Sequence, residues 1–175
     1  AEPCMFVFNH MSLLDIPVVL VSVRKRMLFG AKKELFYIPI FGWAISMAGF
    51  LKIHRGNRQS AVETLKKAKK RMEARGESFI LAAEGTRQMK NEIGLFKSGP
   101  FITAIQAQVP IVPIVIKGVH TVLPQKSVIF RLEKKHICTV QVLEPISTKG
   151  LVTEDRHRLK EDTREKMLKA FQKSV

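Results

Sequence analysis

In NHMSLLD, residues 9–15, a histidine and an aspartate stand five positions apart, directly after the apolar run CMFVF. An imidazole can take and return a proton near neutral pH. A carboxylate held against one ring nitrogen fixes the tautomer and leaves the other nitrogen as a base. On an ideal helix, residues five apart sit about 140° from each other at roughly 100° per residue. His10 and Asp15 therefore meet only if His10 lies in the turn before a helix and its ring folds back over the first turn. A helix beginning near Ser12 allows this, because Ser is a natural N-cap. The same residues support a second reading. Ser12 and Asp15 have the spacing of a capping box, and Asp15 suits a helix N-terminus, which makes His10 an incidental loop residue. The stretch alone leaves both readings open.

Other stretches carry anion chemistry. AAEGTRQ, residues 82–88, places a carboxylate, a glycine, a hydroxyl and a guanidinium after a strand-like run. Thr86 and Arg87, with main-chain N–H groups near Gly85, could hold a phosphate, or the tetrapeptide is a solvated surface turn. GFLKIHRGNR, residues 49–58, sets Arg55 and Arg58 beyond another short strand, where they either join the same site or form a basic loop. Lys97, Ser98 and Gly99 precede a helical stretch whose N-terminus either binds an anion or is capped by Ser98.

Strands and helices must position these groups. Apolar runs predict strands over residues 5–8, 27–31, 50–53, 78–82, 111–117, 128–132 and 136–143. Pro110 and Pro113 argue that the fifth apolar run begins as a strand only after them. Helices are expected over 14–23, 34–47, 59–75, 99–106 and 153–175. Pro17 fits the first of these only near its start. The helix over 59–75 shows Val62, Leu65 and Met72 on one stripe, with Ala61 and Ala68 beside it, and lysines crowd the rest. Gly76 is its stop signal. This alternation predicts an α/β fold, a largely parallel central sheet flanked by helices, in a single domain spanning 1–175.

The charge balance narrows the partners. Thirty Lys plus Arg oppose fifteen Asp plus Glu, a net charge of +15, while 46% of the residues are hydrophobic. Such a surface attracts nucleic acid, anionic membrane or phosphorylated ligands. Cys4 and Cys138 form no CxxC pattern, so neither a disulfide framework nor a zinc site is expected. The longest uncharged run, 35–51, falls short of the ~18 to 20 residues that span a bilayer, and Pro39, Gly42 and Gly49 interrupt it. It reads as a buried or membrane-facing helix.

In order, NHMSLLD, GFLKIHR, EGTR and VPIVPI resemble the four sequence blocks of the glycerolipid acyltransferases, most nearly the 1-acylglycerol-3-phosphate type. The resemblance covers residues 6–116. It implies a membrane-associated enzyme at the cytoplasmic face that moves a fatty acyl group from acyl-CoA or acyl carrier protein to a lysophospholipid hydroxyl, giving phosphatidic acid. It implies His10 as the base and Asp15 as its orienter. Arg55, Glu84, Gly85, Thr86 and Arg87 would form the acceptor site, with Arg55 and Arg87 clamping phosphate and Glu84 orienting the loop; Lys97 is counted with them. No metal or other cofactor is implied. Residues 36–50 and 109–116 are candidate lining for an acyl chain.

The sequence departs from the family pattern at Lys52 and His54, at Ala82 and Ala83 before EGTR, and at Gln88 after it. These changes bear on the acceptor more than on the chemistry, so glycerol 3-phosphate or another lysolipid stays open. The chain is expected to lack an N-terminal membrane-anchoring region. The basic helix over 59–75 is the expected contact with anionic lipid. The competing class is a basic, noncatalytic module that binds nucleic acid or a membrane surface. Nucleic acid is the less expected partner, because Tyr37 and Trp43 sit in an apolar run instead of among basic residues.

Overall fold

A computed structural model gives the fold. It describes residues 2–173 except 24, 26, 55–57, 89–90, 125–126, 128 and 132–134, and the side chain of Arg58 also lies outside the description. Strands β1 (Met5–Phe8), β2 (Met27–Lys32), β3 (Leu51–Ile53), β4 (Ser78–Ala82), β5 (Ile111–Lys117) and β6 (Thr139–Val142) alternate with helices. The helices are α1 (Asp15–Ser22), α2 (Phe41–Met47), α3 (Arg58–Arg75), α4 (Gly99–Ala107), α5 (Val119–Val122) and α6 (Arg156–Gln172). Short 3-10 helices precede α2 (Lys33–Tyr37) and α6 (Thr153–Asp155).

The strands form one sheet in the order β3-β2-β4-β1-β5-β6. All neighbours are parallel except β5 and β6. The parallel strands read as unbroken apolar runs because both faces are covered. Alternate residues serve two cores. Met5, Val7, Leu28, Phe79, Leu81, Ile111 and Val115 point toward α3, α4 and α6. Phe6, Phe8, Met27, Phe29, Ile80, Val112, Ile114 and Ile116 point toward α1. Ala31 continues that second face under Phe36 and Ile45, which brings α2 to the same side as α1.

Three expectations change. The helix expected over 34–47 is two pieces. Pro39 lacks the N–H that a continuous helix needs, and Ile40 takes φ +64°, ψ −57°. The Phe41 N–H bonds the Pro39 carbonyl at 2.6 Å, a tight γ-turn about Ile40. Gly42 then packs against the Phe36 carbonyl, where a Cβ would collide. Pro113 lies inside β5. Its carbonyl accepts from Leu143 N–H, so its missing N–H falls on the β6 side, past the last ladder pair Ile114–Val142. The parallel ladder to β1 needs nothing from it. Of the two strands expected over 128–143, only β6 forms; the described residues 129–131 are not strand, and 128 and 132 lie outside the description. On α3, Ala68 and Met72 are buried while Val62 is exposed.

Candidate active site

β1 lies between β4 and β5, and the crevice outside the carboxyl ends of an open parallel sheet is where such folds hold ligands. β1 ends at Phe8. The Asn9 amide then bonds β5 twice: Nδ2 donates to the Ile116 carbonyl at 2.9 Å, and Oδ1 accepts from Ile116 N–H at 2.8 Å. The main chain is thereby free to turn, and His10 leaves the sheet with its ring edge-on to Phe8, centroids 5.6 Å apart.

Asp15 opens α1. Its Oδ2 lies 2.8 Å from His10 Nδ1 and also accepts the N–H groups of Met11 at 2.7 Å and Ser12 at 2.8 Å. A carboxylate only accepts, so Nδ1 carries a proton and the neutral ring keeps its lone pair on Nε2. The capping-box reading survives only in part: the oxygen of Asp15 that orients the imidazole also accepts the Ser12 N–H and closes the turn before the helix. His10 is 6% exposed and Asp15 is fully buried. Asp15 Oδ1 has no hydrogen-bond partner among the described residues. Ser12 is not the helix cap. Its hydroxyl donates to the Leu123 carbonyl at 2.8 Å, and the helix starts three residues later than Ser12.

β4 delivers the second block. Glu84 is 2% exposed. Oε2 accepts the His10 N–H at 2.8 Å, and Oε1 accepts the Gly94 N–H at 3.2 Å. Gln88 N–H donates to the His10 carbonyl at 2.8 Å. The His10 main chain is therefore gripped on both sides by the loop that follows β4. Burial pushes the Glu84 carboxyl up from its ordinary 4.5 to about 7; the two N–H bonds hold it down, and the Asp15 charge adds to the rise.

Gly85 turns the loop at φ +74°, a conformation that favours glycine. The aliphatic stem of Lys97 crosses it closely, and Lys97 N–H bonds the Ala83 carbonyl at 2.8 Å. Thr86 is exposed and Arg87 half-buried on the same loop. The structure thus brings His10, Asp15, Glu84, Gly85, Thr86, Arg87 and Lys97 to one edge of the sheet. Glu84 faces main-chain N–H groups and ties the loop after β4 to the turn at His10. Arg55 lies outside the described residues. Ser98 makes no side-chain cap on α4.

Among the described residues, no cluster of three His, Cys, Asp or Glu side chains could hold a metal ion. The expected acyl lining does not form as such. Residues 111–116 are buried strand core, and much of 36–50 faces outward. A cavity of about 550 Å³ lies at the opposite, amino-terminal edge, beside Gln108, Pro110 and Thr148. Sequence reasoning missed Asn9, Gln88 and Gly94 as parts of the scaffold around His10. Only Asn9 left a signal, as a polar residue closing a buried apolar run.

The sequence profile of the acyltransferase family matches residues 1–117, which hold His10, Asp15, Glu84, Gly85, Thr86, Arg87 and Lys97. The chain belongs to the acyltransferase family. This acyltransferase is 38% identical over 125 residues to a chloroplastic 1-acyl-sn-glycerol-3-phosphate acyltransferase of Brassica napus, covering 71% of this chain and 36% of that protein. It is 31% identical over 169 residues to the 1-acyl-sn-glycerol-3-phosphate acyltransferase of Saccharomyces cerevisiae, covering 95% of this chain and 55% of the other. The acyltransferase chain thus spans about a third to about half the length of these curated relatives. Among solved structures, it is similar to the 1-acyl-sn-glycerophosphate acyltransferase PlsC of Thermotoga maritima. The TM-score is 0.76 at 26% identity, over 99% of this chain and 68% of that one. No helix of the acyltransferase, among the described residues, is long and apolar enough to cross a membrane.

Proposed function

We propose that this acyltransferase moves a fatty acyl group from a thioester, on CoA or acyl carrier protein, to the free hydroxyl of 1-acylglycerol 3-phosphate. The product is phosphatidic acid, made at the cytoplasmic face of a membrane. The observation that carries the reading is the buried 2.8 Å contact of His10 Nδ1 with Asp15 Oδ2, which leaves Nε2 as the base. The names of the similar proteins supply the acceptor.

In the proposed reaction, Nε2 takes the proton of the acceptor hydroxyl as its oxygen attacks the thioester carbonyl. Asp15 stabilises the imidazolium so formed. The tetrahedral intermediate then expels the thiolate, which recovers the proton from Nε2. A thioester is already activated, so no other cofactor enters. Arg87, Thr86 and Lys97, with Arg55 at the matching position of the second block, hold the acceptor phosphate. Guanidinium groups suit that task because they bind phosphate through paired N–H groups. Glu84 acts through His10 by fixing its main chain.

The test is transfer in anionic mixed micelles with acyl-CoA and lysophosphatidic acid, following free thiol and lipid product together. His10→Ala is expected to lose about 10²- to 10⁴-fold of the rate, the usual contribution of a general base. Full activity in that variant removes the assignment. Product with acyl carrier protein alone moves the donor and leaves the base in place.

A further inference from the structure

The 3-10 helix Lys33–Tyr37, the γ-turn at Ile40 and α2 form a tip whose outer side is apolar. Tyr37, Ile38, Ile40, Phe41, Trp43 and Met47 are all exposed, Ile40 at 75% and Met47 at 88%. The tip holds the only Trp and the only Tyr of the chain, and no charge occurs from Leu35 to Leu51. Ile40 is anomalous twice. A β-branched residue at positive φ is strained, and here the strain presents an apolar side chain to water. Neither feature helps the chain fold alone. Together they point to an apolar phase outside it.

Charge identifies that phase. Lys32, Lys33 and Lys52 flank the tip, and the Lys52 ammonium lies 5.1 Å from the Phe36 ring at its base. From Met11 to Ile53 the sequence has six Lys or Arg and two carboxylates, one of them the buried Asp15. A second copy of the chain fits poorly, because an isologous contact would bring the same lysines together at net charge +15 per chain. Anionic lipid satisfies both parts. Trp and Tyr favour the headgroup level, and lysines beside them meet the phosphates.

We propose that this tip inserts into the interfacial layer of an anionic bilayer, with Lys32, Lys33 and Lys52 at the lipid phosphates. The basic helix α3, which the sequence suggests as the lipid contact, packs on the opposite face of the sheet. A flat membrane meets one of these faces at a time. The His10 ring packs on Phe8, on the same side as the tip, so docking through the tip turns the site toward the lipid. The inference rests on the membrane association proposed above and not on the transfer chemistry. His10→Ala is expected to bind vesicles like the parent, so loss of turnover and loss of lipid contact are separable.

Trp43 is the sole tryptophan, which makes its emission a direct reporter. The probes are phosphatidylcholine vesicles with and without phosphatidylglycerol, and the same vesicles with brominated acyl chains. A blue shift with the anionic vesicles, quenched by bromine near the headgroups, is expected. Ile40→Asp with Met47→Asp should weaken partitioning at least ~100-fold, at about tenfold for each apolar side chain withheld from lipid. Lys66→Glu with Lys70→Glu on α3 should leave the Trp43 shift in place. Ile40→Gly separates binding from folding: it relieves the positive φ, so the protein should melt no lower than the parent while binding vesicles about tenfold more weakly. Three results would overturn the proposal. One is vesicle binding with unshifted Trp43 emission, or no vesicle binding at all. Another is binding lost in the α3 variant but kept in the tip variant. The third is a dimer without vesicles whose Trp43 is already shielded.

Discussion

Each face of the sheet buries apolar residues, but the covers differ. On one face, α3 and α6 run 18 and 17 residues, about 27 and 26 Å at 1.5 Å per residue, with α4 between them. Phe101, Met72 and Met167 are fully or almost fully buried there, and among the described residues Val62 is the one large apolar side chain these helices expose. On the other face, α1 and α2 have 8 and 7 residues, roughly 12 and 10 Å. They leave Leu20, Val21, Phe41, Trp43 and Met47 outside. The thick face holds the chain together, and the thin face carries His10, Asp15 and the apolar tip. A site that admits the proposed acyl substrate gains from a thin wall, whereas a core gains from a thick one.

Substitutions can break this division of labour. The largest expected effect is on the thin face. Asp15→Asn should lower the transfer rate by about 10²- to 10⁴-fold, because the ring loses the carboxylate that fixes its tautomer. Urea unfolding should change far less. Phe101→Ala, on the thick face, should cost about 3–5 kcal/mol in urea unfolding. If Asp15→Asn unfolds the chain as thoroughly as Phe101→Ala, site and scaffold are not separable as described.

Arg87→Ala sharpens the comparison at the edge between the faces. It should raise the KM for the acceptor about 10- to 100-fold with little change in kcat, the size of one charged hydrogen-bond set. An unchanged KM removes the phosphate contact. Glu84 gives a pH signature. Its carboxyl titrates at about 7 in the folded chain and at its ordinary 4.5 when exposed, so the folded state holds the extra proton between these values. Its contribution to stability is complete below about 4.5 and lost as the pH rises through about 7. Denaturation midpoints across that window should fall with pH, and Glu84→Gln should flatten the slope. The smallest effect belongs to the tip: Met47→Ser should alter stability by less than about 0.5 kcal/mol. A larger loss would mean that the thin face holds more of the fold than its cover suggests.

Much of the scaffold was legible. β1 and β4 follow their apolar runs to the residue, because strands buried on both faces read as unbroken apolar runs; β5 has the bounds of its run but holds Pro113 inside it. The α/β class followed from their alternation with α3 and α6. Residues 34–47 read as one helix because their apolar content suits it, while one missing N–H at Pro39 and the turn at Ile40 decide the path. The meeting of His10 with Asp15 was legible as a condition on where α1 begins. Glu84 was harder. Its partners are 74 and 10 residues away, so its grip on His10 depends on β4 landing beside β1. The opposition of α3 to the tip was invisible for a similar reason. Which face a helix covers is set by the handedness and order of crossovers, and the periodicity of that helix carries no trace of it.

The paired bonds of Asn9 leave no slack for chemical change at that amide. The side-chain amide copies a peptide unit, donating and accepting in the places where another residue of β1 would. Hydrolysis of that amide, water entering as ammonia leaves, would exchange one nitrogen for one oxygen and set a carboxylate against the Ile116 carbonyl. Two acceptors would then face each other at the hinge that aims His10. That change would misaim His10 while shifting the mass by about a single unit and leaving the helices intact.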